Sequence, residues 1–243
     1  MGEITTAIAD EPCQAATNAF LSSAVRRVSR GIAHELSTPI QYISDNLRFI
    51  ESFLDAGKEH RDSDTATTDE SRSDAKAAVG ESLEGIHDIR QIHEAFRWLT
   101  SEPSHVAMSC DVSAAMRHMV EVTRNEWKSG ATLLLHAEPR AVVCNWLAAE
   151  LKVVVIAVMF GLCDHLRSSS SPGTGVVTLS IDVEAVANDV AIRVRGPQNW
   201  LAGITFGDAL QEMIERHRIY EPVAERQSTH DQLSVLLIGR QAA

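Results

Sequence analysis

The chain is poor in the features that pair cysteines, cross a bilayer or attract a polyanion. Its four cysteines, Cys13, Cys110, Cys144 and Cys163, lie far apart and form no CxxC pair. A disulfide framework or a zinc site is therefore not indicated, and a reducing cytoplasm is the simpler setting. The most apolar run, Leu151 to Cys163, contains Lys152 and falls short of the roughly 20 residues a membrane helix needs. It reads as a buried helix. The N-terminus has no basic stretch followed by an apolar one, so no signal peptide is expected. Lys and Arg number 22 against 33 Asp and Glu, a net charge of −11. Neutralising nucleic-acid phosphates takes clustered basic residues, so neither nucleic acid nor a membrane is an expected partner.

Proline and glycine are also nearly absent from Gln14 to Ala56, where only Gly31 and Pro39 interrupt. Apolar residues recur there at Leu21, Val25, Val28, Ile32, Leu36, Ile40, Ile43, Leu47, Ile50 and Leu54, always three or four apart. That is the stripe of one long amphipathic helix, about 60 Å at 1.5 Å per residue. Pro39 removes a backbone donor and predicts a kink one turn past His34. Residues 1–11 are small and polar, a frayed end. Lys58 to Asp74, rich in Asp, Glu, Ser and Thr, predicts a loop. A second stripe follows at Val79, Leu83, Ile86, Ile89, Ile92, Phe96 and Leu99. Residues 12–101 are thus a helical hairpin with an apolar face on each arm. Two such hairpins from two chains would close as a dimeric four-helix bundle; a monomer could instead lay the hairpin on its own second domain.

Ser101 to Cys110 reads as a connector. Beyond it, residues 111–240 predict an α+β sandwich with helices on one face of a sheet. The expected elements are a helix from Val112 to Lys128 capped by Asp111 or Ser113 and strands at Thr132–His136 and Ala141–Cys144. A helix at Ala148–Leu166 and a turn at Ser168–Gly175 follow. Strands at Val176–Val183 and Val190–Val194 flank the hairpin signal Asn188-Asp189. A helix at Phe206–His217 and a strand at Leu233–Ile238 complete the set.

His34 is two residues from both Ile32 and Leu36, so it is rotated by about 200° from each and faces away from the stripe. Glu35 is beside it, Thr38 one turn on, and Pro39 follows. A neutral imidazole is a competent nucleophile at phosphorus. Its attacking nitrogen would be Nε2, with Nδ1–H held by a carboxylate, for which Glu35 is the candidate. Gln41, Tyr42 and Asp45 continue the exposed face as candidate contacts for a partner. His87 and His93 lack such company and read as surface residues.

The run Gly31-Ile-Ala-His-Glu-Leu-Ser-Thr-Pro-Ile-Gln-Tyr42 resembles the phospho-acceptor box of two-component histidine kinases. The resemblance implies that His34 carries a phosphoryl group and that residues 12–101 are a dimerisation and histidine-phosphotransfer hairpin. It also implies a response-regulator receiver domain as partner, which would hold the magnesium ion and the acceptor aspartate, and allows an upstream histidine kinase. Glu35-Leu-Ser-Thr38 fits the Glu-x-x-Thr pattern that in those kinases orients water for dephosphorylating the partner; alternatively, Thr38 bonds an upstream carbonyl. Neither a transmembrane segment nor a sensor domain is evident, so a signal is expected through the cytoplasm.

Residues 111–239 are weakly similar to the Bergerat-like ATP-binding domain of the same kinases, but degenerate. The helix that carries magnesium-binding asparagines there has Ala157 and Gly161 at those positions, neither able to ligate a metal; Asp164 and His165 come one turn late. After Val190–Val194 the segment Arg195-Gly-Pro-Gln-Asn-Trp200 has no aspartate for an adenine and no Asp-x-Gly-x-Gly spacing. Gly203 to Leu210 keeps two glycines of a phosphate loop. No cofactor is expected on this chain. The expected function is a phosphorelay histidine phosphotransferase working between His34 and receiver aspartates. The alternatives are a pseudokinase scaffold and a divergent soluble histidine kinase.

Overall fold

The computed structural model describes residues 11–59, 66–102, 107–137, 143–169, 176–186, 189–197, 200–201, 204, 220–226 and 230–237. The chain opens with α1 (Glu11–Glu59) and α2 (Ala66–Thr100), an antiparallel-capable pair of long helices in extensive contact. α1 runs unbroken through Pro39. The proline is buried, and Gly85 of α2 lies against it: a Cβ at Gly85 would come within 3.1 Å of Ile43 and 3.6 Å of the Pro39 carbonyl. The close approach of the two helices is what requires glycine there. α2 begins at Ala66, eight residues inside the segment expected to be loop. Small polar residues such as Ala66-Thr-Thr-Asp-Glu70 tolerate a helix when the chain is already propagating one, although their composition alone suggests coil.

The segment expected to be a mere connector contains β1 (Ala107–Asp111), which pairs antiparallel with β3 (Val143–Leu147). Its partner is distant in sequence, so no local pattern announces it. The register sets Cys110 opposite Cys144, bringing together two cysteines that are well separated in sequence. The predicted Val112–Lys128 helix is in fact two, α3 (Val112–Val122) and α4 (Arg124–Trp127). Asp111 caps α3 by accepting from the Ala114 amide at 2.9 Å. Thr123, fully buried, ends it: its hydroxyl donates to the Met119 carbonyl at 2.6 Å, and its backbone sits at φ −95°, ψ 1°. A threonine that bonds back to the preceding turn competes with the helix ladder and redirects the chain.

The remaining elements are β2 (Ala131–Ala137), α5 (Ala148–Ser169), β4 (Val177–Val186), β5 (Asp189–Pro197), β6 (Tyr220–Arg226) and β7 (His230–Leu237). They form a mixed five-stranded sheet in the order β2-β4-β5-β7-β6, with β2 parallel to β4 and the other pairs antiparallel. Val186 pairs with Asp189 across a two-residue connection, so the expected hairpin forms, but one residue earlier than the Asn188-Asp189 signal places it, with Asp189 already in β5. β6 was not anticipated; Tyr-Glu-Pro-Val-Ala-Glu-Arg has too little alternation to signal a strand. The expected helix at Phe206–His217 lies outside the described residues, as do most of the Ser168–Gly175 turn and the Gly203–Leu210 loop.

One core joins hairpin and sheet. Leu21, Ala24, Val28 and Ile32 of α1 and Ile92, Ala95 and Leu99 of α2 are buried in the same cluster as Met116, Met119, Val154, Ile156, Ile181 and Ile192. Burying one such Leu, Ile or Met contributes about 1.5–3 kcal/mol, so this junction is no loose tether. Farther along the hairpin the same stripes emerge: Leu47 is 56% exposed, and Ile40, Leu54, Val79 and Leu83 are exposed too.

The junction is tightened at the end of α2. Buried Lys152 donates from Nζ to the Ser101 carbonyl at 2.6 Å and to its hydroxyl at 2.9 Å, with Trp98 alongside. A cation there complements the helix C-terminus. Burial pushes the amine down from 10.5 to about 8. Below about 8 the amine is charged in both folded and unfolded chains, and folding bears the whole desolvation cost. Between about 8 and 10.5 the unfolded chain holds a proton the folded chain lacks, so stability rises with pH. Urea unfolding of wild type and Lys152→Met across this range should show the difference shifting toward wild type as pH rises, with a flat difference below about 8.

Candidate functional site

His34 lies near the middle of α1, exposed, just past the last α1 residue buried at the junction, Ile32. Its imidazole has no hydrogen-bond partner among the described residues. Thr38, Gln41, Tyr42 and Asp45 are exposed as well, and at four, seven, eight and eleven residues from His34 they share its face. Asp45 pairs with Arg48 at 3.3 Å. The local hydroxyl-to-carbonyl bond given as the alternative for Thr38 is made by its neighbour instead: Ser37 donates to the Ala33 carbonyl at 2.8 Å. The Thr38 hydroxyl has no partner among the described residues, and its residue is exposed one turn from His34.

Glu35 is placed differently from the expectation. Its carboxylate pairs with Lys128, just beyond α4, and its side chain is 14% exposed. One residue along a helix is a rotation of about 100°, which points Glu35 at the second domain while His34 points to solvent. The expected bond from His34 Nδ1–H to Glu35 is therefore not made here; the glutamate ties the helix to α4. His87 and His93 are surface residues, His87 bonding Gln91 at 2.7 Å.

Above His34 the hairpin meets the second domain through a guanidinium that the sequence did not single out. Arg27 donates through Nε and one terminal nitrogen to Glu126 (2.6–3.1 Å) and through both terminal nitrogens to Asp164 (2.7 and 3.0 Å). Its plane lies 4.0 Å from the Phe160 ring. Burial works against the charge, but the hydrogen bonds to Glu126 and Asp164 outweigh it and raise the guanidinium's pKa. Arg167 donates to the same two carboxylates at 2.7 and 3.3 Å. Gly31 lets α4 close in, since a Cβ there would meet Asn125 at 3.2 Å. The only signal in the sequence was that Arg27 sits beside the apolar stripe, which is true of many helix arginines.

The α5 positions that would carry metal-binding asparagines in the resembling kinases, Ala157 and Gly161, are buried, and Asp164 is engaged by Arg27. At the end of β5, Gly196 packs so tightly that a Cβ would be 2.9 Å from Leu179. Trp200 then turns back, its amide donating to the Pro197 carbonyl at 3.1 Å, and stacks edge-on against His165 at 4.6 Å. Leu201 is buried beside it. Burial pushes the Cys163 thiol up to about 12, so it is an inert packing group. Among the described residues no group of three His, Cys, Asp or Glu side chains is placed to hold a metal ion, and no helix is long and apolar enough to cross a membrane.

Truncating Arg27 removes the cation between Glu126, which is 10% exposed, and Asp164. Arg167 remains to offset part of the loss. Arg27→Ala should destabilise the fold by about 1–3 kcal/mol, measured as a lower urea midpoint, whereas Arg48→Ala on the exposed pair with Asp45 should change it by less than about 0.5 kcal/mol.

The chain matches no family profile and no curated protein. Its structure is similar to several solved ones, and those are histidine kinase domains and a phosphotransferase. The Acinetobacter baumannii histidine kinase AdeS aligns with TM-score 0.41 and 14% identity over 86% of this chain and 98% of that one. The histidine kinase domain of a blue-light activated kinase from Erythrobacter litoralis aligns with TM-score 0.43 and 9% identity over 80% and 93%. A bacterial phosphotransferase aligns with TM-score 0.35 and 12% identity over 90% and 95%. At these scores the likeness assigns no activity.

Proposed function

We propose that the protein is a phosphorelay histidine phosphotransferase in which His34 takes a phosphoryl group from, and returns it to, the aspartate of a response-regulator receiver domain. The observation that carries this reading is an exposed imidazole, without a hydrogen-bond partner among the described residues, presented on a long helix with Thr38, Gln41, Tyr42 and Asp45 exposed on the same face. A nucleophile meant for another protein must be presented in this way. The step is a displacement at phosphorus. The unprotonated imidazole nitrogen forms the N–P bond, the acyl P–O bond of the receiver breaks, and the aspartate leaves with the electron pair. The proton on the other ring nitrogen stays where it is, so no base on this chain is required. Magnesium on the receiver would neutralise the developing charge. Thr38, free to reach the same space, would position water when the phosphoryl group is hydrolysed instead.

The lack of metal-binding side chains at Ala157 and Gly161 and the Trp200–His165 stack support a role without ATP chemistry. So does the firm attachment of the second domain to α1, because a nucleotide-bearing domain must be free to deliver its phosphate to the histidine. The apolar residues emerging on the distal hairpin support homodimerisation: Ile40, Leu47 and Leu54 are seven apart on α1, and Val79, Leu83 and Ile86 form the corresponding strip on α2. An upstream histidine kinase could supply the first phosphoryl group through a receiver.

Labelled phospho-receiver should transfer its label to wild type and not to His34→Gln, which should remain folded and dimeric. Labelled ATP alone should leave His34 unlabelled; label appearing there without a partner would establish the divergent-kinase alternative. Replacing Leu83 and Leu47 by Asp should convert the dimer into a monomer by sedimentation equilibrium, and an unchanged mass would sink the bundle assignment.

A further inference from the structure

The surface one and two turns N-terminal to His34 is basic in a chain whose net charge is −11. Arg26 and Arg30 are exposed, and neither is in an ion pair among the described residues. They precede His34 by eight and four residues, a slanting row with steps of about 6 Å. This row borders an open cavity of about 340 Å³ between α1 and the second domain, lined also by Arg27, Asn125, Glu126 and Arg167. Within it Arg27 and Arg167 are matched by Glu126 and Asp164. Arg26 and Arg30 are the surplus, two positive charges that no carboxylate among the described residues pairs with. An ordinary solvated helix face would need no cavity beside it, and a structural arginine in this region has carboxylates, as Arg27 does.

We infer that Arg26, Arg30 and the cavity they border form a docking subsite for an acidic segment of the phosphoryl-exchanging protein. The inference rests on the reading of His34 as the phosphoryl acceptor and adds the surface by which the partner is held. A protein interface of ordinary size reaches about 15 Å from its centre, so a partner centred on His34 covers both arginines. The partner's phosphorylated aspartate makes its contact surface negative, and the long-range field of this acidic chain would repel it. A local basic row offsets that repulsion where it matters, which chiefly speeds encounter and sets orientation. Glu35, neutralised by Lys128, does not oppose it.

The test compares wild type with the Arg26→Ala, Arg30→Ala double variant, using two phosphate donors. One is the full set of receiver domains of the source organism, each labelled with acetyl phosphate. The other is phosphoramidate, which is too small to dock. The expected result is transfer from the receiver about tenfold slower in the variant at low salt, the gap closing as ionic strength rises, with phosphoramidate labelling of His34 unchanged. Equal rates from the receiver would overturn the inference. Equal slowing with both donors would also overturn it, since the arginines would then act on the phosphoryl group itself. If wild type accepts phosphate from neither donor, the reading of His34 falls first, and that outcome is told apart because it appears without any variant.

Discussion

Arg27 holds the molecule in register. Its guanidinium bonds to Glu126 on α4 and Asp164 on α5 while resting on Phe160, so one side chain links three helices from both halves of the chain. The burial of Val28, Ile32, Met119 and Val154 supplies more free energy than any ion pair, but apolar contact is non-directional. A helix stripe could slide by a turn and still be buried. Two carboxylates that must meet one planar fork admit a single arrangement. The break at Thr123 belongs to the same constraint, because only a redirected chain brings Glu126 and Lys128 against α1.

That registration decides what His34 faces. The second domain covers α1 as far as Ile32 and engages Glu35 through Lys128; His34, on a different azimuth, stays open at the margin. The domain therefore stands as a wall beside His34. The domain is tied to the hairpin by a shared core, a three-helix ion network and the Lys152 cap on α2, so apolar burial, charge and helix capping all set its place against α1. Ala157 and Gly161 leave α5 without metal-binding side chains at those positions, and Trp200 packs edge-on against His165 of the same helix.

Much of this was legible in the chain itself. Period and composition located both long helices, the buried α5, the β4–β5 hairpin and the exposed azimuth of His34, since each is a local property. What escaped was non-local. β1 is defined by a partner more than thirty residues away, and nothing in Ala107-Met-Ser-Cys-Asp111 anticipates it. Thr123 breaks its helix by a hydroxyl bond that many threonines do not make. Glu35 was assigned to His34 because the two adjoin in sequence, yet on a helix adjacency means divergence by about 100°, and its true partner is 93 residues on.

The apolar stripe of α1 carries the deepest ambiguity, and the structure resolves it by dividing it. Leu21, Val28 and Ile32 belong to the shared core, Pro39 and Ile43 meet Gly85 of α2, and Ile40, Leu47 and Leu54 emerge into solvent. Periodicity reports that a face is apolar, never against what. Both packings foreseen for the hairpin can then hold at once along one helix, its upper half on its own second domain and its lower half available to another copy. A helix about 70 Å long has room for both, and His34 lies where one surface gives way to the other. At that position the imidazole is exposed beside both surfaces, whereas a histidine deep in either packing would be covered.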